Sequence, residues 1–366
     1  MNICIDGLAA STLIGTDIYS YTKENILALS ESGEFDNIYS IWDNYPPTSY
    51  WRKIKNINYV DLALDRLNND YSLLEDFLYD KQISIYHSPN NGFSLPKNKI
   101  CKFISSINSL YALSFKDDVD EKYYNKLTST LPLTLEKSDK IIVNSTFTKN
   151  ELLSNYYNFQ NKIEVVYPKC SRIFFNYDKD FCIEFLKKHY NIEGSFILSV
   201  GSVSNRKNIS TFINILNELV KKHIDLKLVI VGNISGKRES YYNSLKDLIN
   251  KYNLDNNVIF TGVVKPTHLP IFYSSALTVL DYSTYNSYPL SCVEAISCGA
   301  IVICNKTAAN IEVLSNCCVF SDFLSLNPIY ELLEILYKNE AYKNNVLSLL
   351  KSPISSTSED LLKIYT

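Results

Sequence analysis

Short apolar runs alternate with longer stretches of helical periodicity along most of the 366 residues. This alternation is typical of parallel β-sheets whose connecting helices cover both faces. In the first half it predicts strands at 2–6, 36–41, 83–87, 101–105, 139–143 and 163–167. A second series predicts strands at 196–200, 227–231, 257–261, 276–281 and 300–304, with helices at 208–222, 239–252, 267–275, 289–298 and 324–338. The expected fold class is therefore α/β, with two doubly wound, Rossmann-like domains.

The length of the chain also favours two domains, because one hydrophobic core rarely organises more than about 250 to 300 residues. The alternation pauses after Pro168, so we expect a first domain at 1–168, a linker region at 169–194 and a second domain at 195–350. A cleft between the domains is expected. The irregular stretch 46–59, which contains a Pro-Pro pair, is predicted to form a loop over it.

Composition narrows the possible functions. The chain has 46% hydrophobic residues, 20% charged residues and a formal net charge of -3, which gives no excess of positive charge for nucleic acid. No apolar run approaches the roughly 18 residues of a membrane span, and the N-terminus lacks the pattern of a signal peptide. A cytoplasmic location is therefore expected. The nine cysteines are odd in number and several lie in apolar runs, which favours reduced thiols, and we expect no metal site.

Ligands of doubly wound sheets bind beyond the carboxyl ends of the strands. One such loop, SVGSVSNRKNIS, contains Gly201 directly after a strand and the basic pair Arg206 and Lys207 ahead of a helix. Gly201 would let the backbone approach a ligand, and two cations beside a helix start could hold a diphosphate. A solvated basic turn would give the same pattern, so the residues alone leave both interpretations open.

A second loop, DYSTYNSYP, follows another apolar strand and leads into a short helix that contains Glu294. Asn286, Ser287 and Tyr288 supply hydrogen-bond donors and acceptors suited to sugar hydroxyls. Turn formation explains Ser287 and Pro289 equally well. Glu294 lies in a helix predicted to be buried, so its carboxylate requires a partner: either the hydroxyls of a ligand or a salt bridge from elsewhere in the chain.

These segments resemble, in order and spacing, the signatures of the retaining glycosyltransferases of family 4, which have the GT-B architecture of two facing Rossmann-like domains. The matching segments of the second domain are FILSVGSVSNRKN, LVIVG, VIFTGVV, LPIFYSSALTVLDYS and NSYPLSCVEAISCGAIVI. The first domain matches more weakly, through IGTDIYSYTKENILAL, IYHSP and SDKIIVNSTFTKNELL. The tail STSEDLLKIY resembles the terminal helix of the family, which implies that 351–366 cross back to the first domain.

The resemblance implies a nucleotide-sugar donor bound by the second domain and an acceptor, of glycan, lipid or protein nature, bound by the first. No cofactor is implied, because the nucleotide-sugar is a substrate. Arg206 and Lys207 would hold the diphosphate and assist its departure, and Glu294 would bind the ribose hydroxyls. The other implied contacts are Gly201 and Leu290 for the diphosphate, Asn286, Ser287, Tyr288 and Pro289 for the sugar, and Val263 and Val264 for the nucleobase.

The sequence departs from the family pattern at several positions. The first glutamate of the family's Glu-x7-Glu motif falls on Asn286, and Pro289 replaces a glycine and lacks the N–H that a glycine would offer. Ile107 stands where the family often has a histidine in its first domain. The candidates for the cleft face of that domain are Gly15, His87 and Asn108, although a packed histidine explains His87 equally well.

Two functions of different classes follow. The first is a metal-independent, retaining transfer of a hexosyl or related sugar to an acceptor hydroxyl. The second is a catalytically degenerate GT-B protein that acts as the partner subunit of an active transferase, which the departures at Asn286, Pro289 and Ile107 motivate. Epimerisation and phosphorolysis would need catalytic groups or a cofactor lysine for which the sequence shows no motif.

Overall fold

A computed structural model gives the fold of the chain and describes residues 1–42, 54–62, 64, 70–322 and 325–366. It divides into two compact units, the first formed by Met1–Lys169 with Ser355–Thr366 and the second by Cys170–Ile354. The segment predicted to be a linker thus belongs mostly to the second unit, where it contains a helix. Most of the predicted loop at 46–59 lies outside the described residues.

The first unit is built on a seven-stranded parallel sheet. Its strands are β1 (Asn2–Asp6), β2 (Asn37–Trp42), β3 (Ile57–Asp61), β4 (Ile83–Ser88), β5 (Lys102–Ile107), β6 (Lys140–Val143) and β7 (Ile163–Val165). They lie in the order β3-β2-β1-β4-β5-β6-β7. The helices are α1 (Leu8–Thr12), α2 (Asp17–Ser32), α3 (Ser72–Asp80), α4 (Tyr111–Ser114), α5 (Glu121–Lys137) and α6 (Thr146–Asn155). In β1, Ile3, Cys4 and Ile5 are all fully buried, because helices cover both faces of the sheet.

The second unit contains a six-stranded parallel sheet. Its strands are β8 (Phe196–Val200), β9 (Lys227–Val231), β10 (Val258–Gly262), β11 (Thr278–Asp281), β12 (Val302–Cys304) and β13 (Val319–Phe320), in the order β10-β9-β8-β11-β12-β13. The helices are α7 (Lys179–Tyr190), α8 (Ile209–Lys221), α9 (Glu239–Tyr252), α10 (Leu269–Ser275), α11 (Leu290–Ser297), α12 (Ala308–Leu314), α13 (Asn327–Lys338) and α14 (Glu340–Leu349). The strand order reverses between β8 and β11, which is where doubly wound sheets bind ligands.

Helix α8 illustrates how the second unit holds its site in place. Its apolar residues recur with helical spacing, and Phe212, Ile213, Leu216 and Leu219 are buried in the core of the unit. Burying each such side chain stabilises the fold by roughly 1.5 to 3 kcal/mol, before the conformational entropy cost of folding is counted. The start of α8 and the turn before it are therefore held firmly against the sheet.

The last helix, α15 (Ser358–Leu362), belongs to the first unit, as the fold prediction requires. A capping box begins it: the Thr357 hydroxyl accepts from the backbone N–H of Asp360, whose carboxylate accepts from the N–H of Thr357. Leu361 and Tyr365 are buried in the core of the first unit. The predicted α/β fold with two doubly wound sheets is confirmed. Strands β3 and β13 and helices α7, α12 and α14 were not predicted.

Candidate functional site

The carboxyl end of β8 leads into a loop in which two glycines are structurally required. Gly201 has a φ of +128°, and a Cβ there would lie 2.7 Å from Cε of Lys207. Gly232, at the end of β9, has a φ of +158°, and its Cβ would lie 1.8 Å from the carbonyl oxygen of Gly201. The sequence suggested that Gly201 makes room for a ligand; in the structure it makes room for the side chain of Lys207.

A tight turn directs the basic pair. Asn205–Lys207 form a single 3-10 turn, in which the N–H of Lys207 donates to the carbonyl of Ser204 at 3.0 Å. Asn208 then takes the left-handed conformation, with a φ of 51°, and α8 begins. Asparagine tolerates this conformation better than most residues. The turn brings Lys207 inward, so that its residue is only 6% exposed.

Lys207 forms a buried ion pair that the sequence analysis did not anticipate. Its Nζ lies 3.0 Å from Oδ2 of Asp281, the last residue of β11 and itself only 3% exposed. The backbone N–H of Ser283 donates to the other carboxylate oxygen at 2.9 Å, and its hydroxyl donates to the same oxygen. Burial acts to raise the pKa of Asp281, but Lys207 and the hydrogen bonds from Ser283 outweigh it and hold the pKa below its ordinary value. Asp281 is therefore ionised.

Arg206 joins the loop after β8 to the loop after β11. Its Nη1 donates to the carbonyl of Tyr285 at 2.7 Å and to Oδ1 of Asn286 at 3.2 Å. Its own carbonyl accepts from the N–H of Thr284 at 2.9 Å. The side chain of Asn286, which the sequence assigned to the sugar, thus already contacts one of the two cations.

A chain of buried amides, which we call the asparagine circuit, consists of Asn286, Asn305 and Asn310. Asn286 donates to Oδ1 of Asn310 at 3.1 Å, and Asn310 donates to the carbonyl of Asn305 at 3.0 Å. Asn305 in turn donates to the carbonyl of Ser283 at 2.8 Å. Since Ser283 holds Asp281, the circuit links Arg206 and Lys207 into one polar network across the ends of β8, β11 and β12. Asn305 and Asn310 were not predicted from the sequence, where their only signal was that polar residues follow a buried strand.

The carboxylate of Glu294 has a hydrogen-bond donor within the second unit. Glu294 lies on α11, is 7% exposed, and accepts a hydrogen bond at 3.2 Å from the phenol of Tyr273 on α10. Burial, and next the nearby Glu294 carboxylate, raise the pKa of Tyr273 well above its ordinary value, so this phenol keeps its proton and can donate. The protein therefore holds the carboxylate in a defined orientation.

The remaining residues predicted for the donor site differ in their surroundings. The N–H of Leu290 donates to the carbonyl of Tyr288 at 2.9 Å, and the Tyr288 phenol donates to the carbonyl of Ile354 at 3.1 Å. Pro289 is buried and directly precedes α11, while Ser287 is half-buried. Val263 is 61% exposed, whereas Val264 is buried. Within this group, Val263 presents the largest accessible surface.

The three candidates in the first unit differ in their burial and in their hydrogen bonds. His87 is fully buried; one ring nitrogen lies 2.7 Å from the Ser106 hydroxyl and the other contacts the Tyr365 phenol. Burial lowers its pKa to about 3, so the ring is neutral. The Asn108 side chain donates to the carbonyl of Pro89 at 2.6 Å, and Gly15 is exposed with a φ of 84°. His87 is therefore an interior residue of the first unit, as the packed alternative describes.

Three further features concern metals, membranes and thiols. In the described part of the chain, no three histidine, cysteine, aspartate or glutamate residues are grouped so that they could hold a metal ion. No described helix is both long and apolar enough to cross a bilayer. The nine cysteines form no disulfide with one another in the structure, and seven of them are buried, namely Cys4, Cys182, Cys292, Cys298, Cys304, Cys317 and Cys318.

Known proteins resemble the second unit in sequence. The family model described as "Glycosyl transferases group 1" matches residues 183–317. This range contains Arg206, Lys207, Asp281 and Glu294, together with the asparagine circuit. Among curated proteins, the O-antigen chain mannosyltransferase B of Escherichia coli is 22% identical over 245 residues, which cover 67% of this chain and 63% of that protein.

Solved structures match over nearly the whole chain. A glycosyltransferase from Rickettsia africae has a TM-score of 0.68 at 18% identity and covers 100% of this chain and 97% of its own. HepE of Anabaena, solved with UDP and glucose, has a TM-score of 0.72 at 12% identity and covers 95% of this chain and 93% of its own.

The fold is thus the GT-B architecture of two Rossmann-like units. Residues 183–317 of the second unit match the group 1 glycosyl transferase model, the group to which the sequence resemblance pointed. The assignment to family 4 in particular stays a prediction.

Proposed function

We propose that the protein is a retaining glycosyltransferase that moves a hexosyl or related sugar from a nucleotide-diphospho-sugar to an acceptor hydroxyl on a glycan, lipid or protein. The observation that carries the proposal is the polar network at the carboxyl ends of β8, β11 and β12, which joins Arg206 and Lys207 to Asp281 and the asparagine circuit. It lies within the range of the group 1 family model. The UDP and glucose seen in HepE of Anabaena give a precedent for such a donor in this fold.

In this reaction the bond between the anomeric carbon and the diphosphate breaks, and negative charge develops on the leaving nucleoside diphosphate. Arg206 would neutralise that charge, because a guanidinium matches phosphate geometry and stays protonated. A preorganised donor of this kind typically contributes about 3 to 4 kcal/mol to transition-state stabilisation. In this scheme Arg206 supplies the electrostatic assistance, and no bound metal is assigned a step.

The ion pair changes the role we assign to Lys207. Because its charge is balanced by Asp281, Lys207 adds little net positive charge to the site, so we assign less of the charge neutralisation to it. An ammonium group still carries three N–H donors, of which one meets Asp281 at 3.0 Å. We therefore assign Lys207 to directional hydrogen bonding of the diphosphate and Arg206 to charge neutralisation.

Glu294 is the proposed ligand of the ribose hydroxyls. Carboxylate oxygens accept hydrogen bonds from both members of a diol, and Tyr273 holds one oxygen of Glu294 in place. Val263 is the exposed member of the pair assigned to the nucleobase. The sequence-based assignments of Asn286, Ser287, Tyr288 and Pro289 to the sugar remain proposals, with Asn286 also positioning Arg206.

The function is tested by calorimetric titration of the full chain with UDP-, GDP- and ADP-linked sugars, followed by an assay of donor hydrolysis and transfer. We expect one nucleotide class to bind with a stoichiometry of one. Glu294→Gln should weaken binding of that nucleotide by about tenfold, since it loses a charge-assisted hydrogen bond. Glu312→Gln, a change in helix α12, serves as the control. Binding of no nucleotide-sugar at all would contradict the proposal and favour the partner-subunit role.

A further inference from the structure

A cavity of about 310 Å³ opens in the second unit at the amino ends of its strands. Ser195 and Phe196 line it where β8 begins, and Leu277 lines it just before β11. In a parallel sheet the amino ends share the edge opposite to the carboxyl ends, so this cavity and the asparagine circuit lie at opposite edges. Its volume falls at the lower end of the roughly 300 to 1,000 Å³ that small-molecule sites occupy.

Part of the cavity wall is apolar. It is formed by one face of α7, by the chain that leads into β8, and by the end of α13. The apolar lining residues are Ile183, Leu186, Ile192, Phe196, Leu277 and Leu336. Such a wall favours a ligand that has an apolar body, because burying that body removes it from water.

Two lysines line the same cavity from different helices, Lys179 from α7 and Lys343 from α14. Neither forms an ion pair or a side-chain hydrogen bond with the residues that the structure describes. Burial lowers the pKa of Lys343. The Glu340 carboxylate opposes this shift, whereas the positive charge of Lys179 adds to it, so the two lysines repel each other electrostatically. Glu340 also lines the cavity, yet it makes no ion pair with either lysine in the described part of the chain. The charged residues of the wall are thus two lysines and one glutamate, beside the polar Ser195, Ser275 and Tyr337.

We infer that this cavity binds a small amphipathic anion, with its apolar body against the α7 and α13 wall and its carboxylate, sulfonate or phosphate group between Lys179 and Lys343. An anion placed there would relieve the repulsion between the two cations and gain charge-assisted hydrogen bonds. None of the lining residues belongs to the proposed donor site, so this ligand is neither the donor nor its nucleotide.

The test compares two probes of nearly equal apolar size, octanoate and 1-octanol, titrated into the full chain by calorimetry. Octanoate should bind at a single site about tenfold more tightly than octanol, because only octanoate can use the lysines. The double variant Lys179→Ala, Lys343→Ala should remove that difference. Glu340→Gln should instead tighten octanoate binding, a gain that a merely structural role would not produce.

Two further measurements locate the site. Lys187→Ala, on the same helix but outside the cavity lining, should leave both affinities unchanged. Ile183→Trp, which fills the cavity from the wall, should weaken both probes, with circular dichroism used to confirm folding. Equal binding of octanoate and octanol by the wild type, or an unchanged preference in the double lysine variant, would overturn the inference. Absence of octanoate binding would overturn it as well.

Discussion

The two units use the carboxyl ends of their central strands in different ways. In the second unit, the ends of β8, β11 and β12 hold buried charges, with Lys207 and Asp281 paired. In the first unit, β4 and β5 bring His87 and Ser106 together in a neutral network that the Tyr365 phenol completes from the C-terminal segment. Similar folds thus support a charged network suited to an anionic ligand in one case and a closed structural contact in the other.

The difference follows from the partners that each network has available. Tyr21 also meets the Ser106 hydroxyl, at 2.9 Å, so the first-unit network is made of hydroxyls and one neutral imidazole. Neutral groups are buried at modest cost once they are hydrogen-bonded, whereas buried charges require a counter-charge. In the second unit that counter-charge is Asp281, whose carboxylate also accepts hydrogen bonds from the backbone N–H and the hydroxyl of Ser283.

Breaking the charged network should give the largest effect. Asp281→Ala leaves Lys207 buried without its counter-charge, and we expect the free energy of unfolding to fall by about 3 to 5 kcal/mol. The double change Lys207→Met, Asp281→Leu should restore most of that stability while leaving the proposed diphosphate site without its lysine. Chemical denaturation of the three proteins checks this. A loss below about 1 kcal/mol for Asp281→Ala would show that the ion pair is not a buried structural charge pair.

The neutral network of the first unit should make the free energy of unfolding depend on pH in mild acid. The pKa of His87 is about 3 in the folded protein against an ordinary value of 6.5, so the unfolded chain takes up a proton at pH values where the folded chain does not. This contribution to stability is fully present above pH 6.5 and is lost as the pH falls toward 3. Between pH 6.5 and 5 the loss should be about 1.7 kcal/mol, because the slope rises from about half of 1.36 kcal/mol per pH unit at pH 6.5 to nearly all of it at pH 5.

The matched control for this pH dependence is His87→Gln, which keeps a polar side chain but cannot titrate. Its stability should change less than that of the wild type between pH 6.5 and 5, as measured by urea denaturation at each pH. If the free energy of unfolding changed with pH equally in the two proteins, the imidazole would be accessible to protons in the folded state. The first-unit network would then not be the closed, neutral contact described above.

A smaller effect is expected at the C-terminal contact. Tyr365→Phe removes the phenol that meets the His87 ring and should cost about 1 kcal/mol of stability, the net value of one hydrogen bond. The pKa of His87 followed by NMR should stay low, because burial is its cause. Tyr79→Phe, at an exposed phenol, provides the control. Equal stability of the two variants would show that the Tyr365 contact does not secure the C-terminal segment.

Much of the fold could be predicted because strands buried on both faces appear in sequence as apolar runs, as in β8 and β9. Helix α7 could not, since Phe181 and Ile183 are about half exposed and blur its helical pattern. The two residues of β13 are too few to give a signal. Strand β3 lies in a stretch whose prolines and polar residues predicted a loop.

The candidate site was predictable only in part. Arg206, Lys207 and Glu294 could be proposed from the sequence because they lie in or just after loops that follow apolar strands, and their roles stay predictions. Asp281 was not recognised as the partner of Lys207, since 74 residues separate them and only the adjacency of β8 and β11 brings them together. The asparagine circuit depends in the same way on β12 lying beside β11.

The most direct test of the central claim is a calorimetric titration with inorganic pyrophosphate, the group that every nucleotide-diphospho-sugar shares. We expect the wild type to bind pyrophosphate at one site and Arg206→Ala to weaken that binding by tenfold or more, equivalent to at least about 1.4 kcal/mol. Lys222→Ala, at an exposed lysine paired with Glu334, should bind as the wild type does. Equal pyrophosphate affinity in the wild type and Arg206→Ala would contradict the account.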